Sequence, residues 1–125
     1  MRKNSTPQPQ WLSESEDDNY PAAESYLNLI YPAKKAAKLV AELRQANNTQ
    51  FKAKDIFRAS RLSLLGVSNF HVEKNQKKIN EGIALSPILL VQDRRNGRVV
   101  VADGYHRLCA VYAHEEDTWI PCRIV

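Results

Sequence analysis

Polar residues dominate the first twenty positions, where Trp11-Leu12 is the one apolar pair, and such a stretch buries too little surface to offset its ordering entropy. Residues 1–20 read as a flexible arm. Helical spacing follows: Ala22, Ala23, Tyr26, Leu27 and Ile30 share a face, Pro21 suits a first turn and Pro32 halts the run, which predicts a helix from Pro21 through Tyr31. From Ala33 to Ala46 a second helix carries Ala36, Leu39, Val40 and Leu43 as its apolar stripe, with Lys34, Lys35, Lys38 and Glu42 largely off it. Residues 21–48 thus make a helical extension ahead of the remaining chain.

Asn47-Asn48-Thr49 breaks the pattern, after which Ala53, Ile56 and Phe57 predict a short helix over Phe51–Ser60, although Phe51-Lys52-Ala53 also alternates like a strand. Leu62 to Ser68 is an apolar connection. Asn69 can cap a helix over Phe70–Asn80 that turns Val72 and Ile79 inward and Glu73, Lys74, Lys77 and Lys78 outward, with Gly82 as its stop. Ile88–Val91 and Arg98–Ala102 are short β-branched-rich runs around Asp93-Arg94-Arg95-Asn96-Gly97, a hairpin signal. Asp103-Gly104 interrupts the second run, Leu108, Val111 and Tyr112 predict a helix over Tyr105–His114, and Trp119–Val125 closes as a strand. Pro121 suits an edge or the start of that strand better than its centre. The fold class is α+β.

At 125 residues the chain suffices for a single core, and 43% hydrophobic with 26% charged residues is ordinary globular usage. The net charge of +4 is uneven, because residues 1–20 hold two bases and four acids, leaving the rest at +6. A moderately basic body admits anionic partners, nucleotide or nucleic acid, without selecting one. Cys109 and Cys122 belong to no metal-ligand spacing and are expected as reduced thiols. No apolar run approaches the ~18 residues of a membrane span, and no apolar signal region follows the start, so the chain reads as cytoplasmic with no membrane partner.

From Leu85 onward, the run Ser86-Pro87-Ile88-Leu89-Leu90-Val91, then Val99-Val100-Val101-Ala102-Asp103-Gly104-Tyr105-His106-Arg107-Leu108-Cys109-Ala110, then Ile120–Val125 resembles the ParB/sulfiredoxin-like superfamily in order and spacing. A weaker likeness reaches back to about residue 51, so residues 49–125 would be the ParB/sulfiredoxin-like domain, while 1–48 show no such likeness. The resemblance implies a nucleotide phosphate site at Gly104-Tyr105-His106-Arg107, the position of the family's G-x-x-R signature. Elementary chemistry points the same way: a glycine at a strand-to-helix turn allows close backbone approach to an anion, and unpaired first-turn N–H groups with the helix dipole favour negative charge. Arg107 offers a donor fork for phosphate oxygens, and His106 can donate to phosphate or exchange a proton near neutral pH. Two departures narrow the expectation. Tyr105 stands where sulfiredoxin has its catalytic cysteine, with Cys109 a helical turn away as a small buried residue, and the chain ends where partitioning ParB proteins continue into a helix-turn-helix region.

The expected ligand is ATP or CTP with Mg²⁺, and hydrolysis or transfer of the terminal phosphoryl group is the chemistry such a site could carry. His106 and Asp103 are the candidate catalytic residues, Asp103 the candidate metal ligand, and Gly104, Tyr105, His106, Arg107 and Lys78 the candidate cofactor-binding residues. Plainer roles stand beside these. Asp103 could simply cap the next helix, Arg107 could pair with Glu115 or Asp117, and His71, Lys74, Lys77 and Lys78 could be either the far wall of an anion pocket or a solvated helix face. Arg94 and Arg95 need no role beyond a hairpin turn, helical spacing of Tyr26 with Leu27 and Ile30 suggests packing, and His114 complements a helix C-terminus. Two other functions fit the same residues: a nuclease or DNA/RNA-binding module using the same turn, and an inactive interaction domain docking a partner protein through residues 1–48.

Overall fold

Ile88-Leu89-Leu90-Val91 is apolar at every position, and side chains alternate across a strand, so a strand built from this run needs cover on both faces. The computed structural model, which describes residues 7–64 and 69–125, supplies it with helices on each side of a four-stranded mixed sheet. Among the described residues the order is α1 (Asn19–Leu27), α2 (Ala33–Gln45), β1 (Thr49–Lys52), α3 (Ala53–Ser60), α4 (Phe70–Asn80), β2 (Ile88–Asp93), a 3₁₀ turn (Arg94–Asn96), β3 (Arg98–Asp103), α5 (Tyr105–His114) and β4 (Trp119–Ile124). The strands lie in the order β1-β4-β2-β3, with β4 antiparallel to β1 but parallel to β2, and β2 antiparallel to β3. Ile88, Leu90, Val101, Ile120 and Cys122 pack under α3, α4 and α5, while Leu89, Val91, Val100 and Ala102 pack under Tyr20, Ala23 and Leu27 of α1 and Ala36, Val40 and Leu43 of α2. The extension expected over residues 21–48 is this second layer.

Several expected boundaries move, each for a tertiary reason. Residues 1–6 of the expected flexible arm lie outside the described residues, and from Gln10 onward the arm is tied down. The Leu12 N–H donates to the Leu85 carbonyl at 2.8 Å and the Leu85 N–H to the Gln10 carbonyl at 2.7 Å, while Trp11 packs against the core beneath α3, α4 and α5. Farther along, the Glu16 N–H donates to Ser86 Oγ at 3.0 Å and the Ser86 hydroxyl donates to Asn19 Oδ1. The partners that order the arm lie some 70 residues away. α1 accordingly starts at Asn19 rather than Pro21, and it ends at Leu27, after which the Leu29 and Ile30 N–H groups bond three residues back to the Tyr26 and Leu27 carbonyls in a tighter turn ahead of Pro32.

The helix expected over Phe51–Ser60 loses its first two residues to β1, since Phe51 and Lys52 pair with Ile120 and Trp119. Edge pairing overrides helical propensity there. Residues 65–68 of the expected connection lie outside the described residues. β4 runs inside the sheet, and Pro121 is accommodated near its start, because the ladder to β2 begins one residue later at Cys122↔Ile88. Arg123 on the same strand is buried and donates to the Leu43 and Arg44 carbonyls at 3.4 and 2.9 Å, closing the C-terminus of α2, and to Asn48 Oδ1 at 3.2 Å.

Candidate functional site

Two helix termini build the site. At α4, the Asn69 side chain accepts from the His71 and Val72 N–H groups at 3.0 and 3.2 Å, as expected of a cap, and Gly82 (φ +71°) ends the helix with Ile83 N–H returning to the Lys78 carbonyl. Burial of Val72 and Ile79 sets the helix's rotation. That rotation carries His71, Lys74, Asn75 and Lys78, spaced by three, four and seven residues, onto the side facing the start of α5.

At α5, the pairing of β2 with β3 slips between Leu89 and Leu90, a bulge that delivers Asp103 to the end of the strand. Gly104 then takes φ +108°, and a Cβ there would lie 2.8 Å from Arg107 Nη2 and 2.9 Å from Ile88 Cγ1. Glycine is required twice over, by backbone angle and by space. Among the described residues no side chain caps the first turn of α5, and its first backbone bond runs from the Leu108 N–H to the Gly104 carbonyl at 2.9 Å.

Asp103 does not cap α5 and Arg107 does not reach Glu115 or Asp117; the two pair with each other. Arg107 Nη2 lies 3.0 Å from Asp103 Oδ2 and donates to the Pro87 carbonyl at 3.3 Å, in a pair with 16% and 18% of the side chains exposed. Arg107 Nε–H is buried with no hydrogen-bond partner among the described residues. Asp117 instead meets Lys54 at 2.6 Å.

His71, Lys74, Asn75 and Lys78 face Asp103, Gly104, Tyr105, His106 and Arg107 across one cleft of about 220 Å³. Every candidate cofactor-binding and catalytic residue of the sequence reading lines it. Lys77 does not, and instead borders a neighbouring groove with Phe70 and Glu73. Sequence spacing puts His71 and Lys74 on one face with Lys78 but leaves open whether that face meets solvent or an anion pocket, and the helix's rotation about its axis decides it. The His71 and His106 rings stand 4.7 Å apart between centroids, tilted by 41°. Burial, reinforced by His71 and then Arg107, holds the His106 imidazole below its ordinary range. The Tyr105 hydroxyl donates to the Ser63 carbonyl, and burial with Cys109 nearby raises its pKa.

No protein-family model, curated protein or solved structure matches the chain. The chemistry of the cleft therefore stands on its own residues. Lys74, Lys78 and Arg107 outnumber Asp103, the cleft's one carboxylate among the described residues, so these four groups together carry a charge of about +2. Such a wall attracts anions and offers ammonium, imidazole and guanidinium donors. Cys109 is buried in α5, and burial pushes the Cys122 thiol up to about 12, which leaves Cys122 poorly suited to thiolate chemistry. Arg94 and Arg95 are exposed at the hairpin turn, and no helix among the described residues is long and apolar enough to cross a membrane.

Proposed function

We propose that the cleft binds the phosphate groups of a nucleoside triphosphate, ATP or CTP, in a domain of ParB/sulfiredoxin-like type. The observation that carries this reading is the convergence of Lys74, Lys78 and His71 from one helix upon His106 and the uncapped start of another. The volume fits the polyphosphate better than the whole ligand, being below the ~300–1,000 Å³ of sites that enclose drug-sized molecules. Ribose and base would lie at the mouth. Lys74 and Lys78 neutralise charge, His106 and the first-turn N–H groups donate, and Arg107 braces the turn through Asp103 and Pro87. The buried, unpartnered Nε–H leaves Arg107 a donor that a rearranged guanidinium could give to phosphate.

Asp103 fits a magnesium ligand poorly, because the ion would have to displace a guanidinium from the one carboxylate among the described residues of the cleft. Any hydrolysis or phosphoryl transfer is placed at the same turn, with His106 as the proton-handling group.

Thermal unfolding with ATP, CTP, GTP and single-stranded DNA, each with and without Mg²⁺, tests the reading, since a true ligand raises the melting temperature by mass action. ATP or CTP is expected to raise it in the parent and much less in Lys74→Ala/Lys78→Ala. Stabilisation by DNA alone, falling steeply with salt, would favour the nucleic-acid module instead. A flat response to every ligand would refute the phosphate site.

A further inference from the structure

The His71–His106 pair, part of the phosphate cleft, brings a second property with it, since an imidazole can take up a proton as well as donate a hydrogen bond. The two imidazoles come from different helices, reach the same cavity and lie 4.7 Å apart between ring centroids. The charged and titratable groups facing them are Lys74 and Lys78 from α4, Tyr105 and Arg107 from α5, and Asp103 at the end of β3. Asp103 is already spent on Arg107. A proton added to either ring in the empty cleft would therefore enter a field of about two net positive charges, Lys74 and Lys78 with Arg107 offset by Asp103, with a second imidazole beside it.

We propose that anion binding in this cleft is coupled to proton uptake by the His71–His106 pair, so that the ligand is held more tightly as pH falls through the neutral range. The inference rests on the cleft being a phosphate site. A bound polyphosphate reverses the sign of the local field, and an opposite charge within ~4–6 Å raises a cationic acid's pKa by about one to three units. Burial, then His71 and Arg107, already hold the empty-cleft His106 below the ordinary histidine range, so the rise starts low. The sign follows from linkage: a group whose pKa is higher in the complex takes up a proton on binding, and affinity is greatest below both pKa values and least above both. A rise of about one to three units corresponds to binding about tenfold to a thousandfold tighter at the acid limit than at the alkaline limit. The ligand's own terminal phosphate ionises near ~6 and acts in the opposite sense, so the imidazoles have to be observed directly.

The chain has three histidines, His71, His106 and His114, and His114 sits at the far end of α5, outside the cleft. An NMR pH titration of the assigned imidazole signals in the full chain, without ligand and with saturating ATP, reads each midpoint separately. The expected result is a rise of about one unit or more in His71, His106 or both on adding ATP, with His114 unmoved. ATP-induced changes in the cleft signals without a change in either midpoint would overturn the proton coupling and leave the phosphate site intact. Equal movement of all three midpoints would also overturn it, as a non-specific charge effect. No response of the cleft histidines to ATP at any pH would refute the phosphate site itself, and this inference with it.

Discussion

Replacing Gly104 by alanine should be among the most damaging small changes in this chain, and Gly82→Ala provides its internal control. Both glycines have positive φ, +108° and +71°, but an added Cβ at Gly82 meets nothing within 4 Å, whereas at Gly104 it would sit 2.9 Å from Ile88 Cγ1 and 2.8 Å from Arg107 Nη2. The left-handed backbone alone costs an L-residue about 1–2 kcal/mol, which is the whole expected effect of Gly82→Ala. Gly104→Ala adds overpacking against Ile88, a fully buried side chain, for about 1–3 kcal/mol more. The Arg107 contact is softer because a guanidinium can swing, yet swinging breaks the Asp103 pair and exposes the loss in ligand binding. Urea unfolding should give a total of about 2–5 kcal/mol for Gly104→Ala, seen as a lower midpoint with an unchanged slope. At this chain length that corresponds to roughly 8–20 °C in melting temperature. A loss no larger than that of Gly82→Ala would refute the claim that Gly104 is there for space as well as for backbone angle.

Arg123→Met should cost about 1–3 kcal/mol in the same urea assay by leaving the Arg44 carbonyl without its donor and the Leu43 carbonyl with the Ala46 N–H alone, whereas Glu14→Gln should change stability by less than about 0.5 kcal/mol, since Glu14 is 81% exposed at 3.6 Å from the guanidinium. Deleting residues 1–20 should lower the melting temperature by about 10 °C or more, because it removes Trp11, the Leu85 pairing and buried Tyr20; a change of only a degree or two would show the arm to be dispensable. Cys122 should resist thiol reagents in the native protein at about pH 8 and react only at the rate of unfolding. With its pKa raised from 9.0 to about 12 by burial, the folded state disfavours the thiolate, so this group's contribution is complete below pH 9 and declines as pH rises toward 12. Stability measured in that window should fall less steeply for Cys122→Ala than for the parent.

What could be read along the chain was whatever depends on neighbours a few residues apart. Asn69 capping α4, Gly82 ending it, the bounds of α5 and a hairpin turning over Asp93–Gly97 follow from local backbone chemistry, and the structure keeps all of them. The grouping of Asp103, Gly104, His106 and Arg107 is local too, since one turn of chain holds them together. Tertiary structure alone decided the rest. Phe51 and Lys52 pair as a strand because β4 lies beside them, and the arm from Gln10 is ordered by Leu85 and Ser86. Arg107 spends its charge on Asp103 and Pro87, and Arg123 closes a helix some 80 residues earlier. The same limit applies to His71 and Lys74: spacing places them on one face of α4, but which way that face turns is set by where Val72 and Ile79 find a core to bury in. Capping and turn geometry are short-range and survive in any context, whereas packing partners are chosen by apolar burial across the whole molecule, which no local window contains.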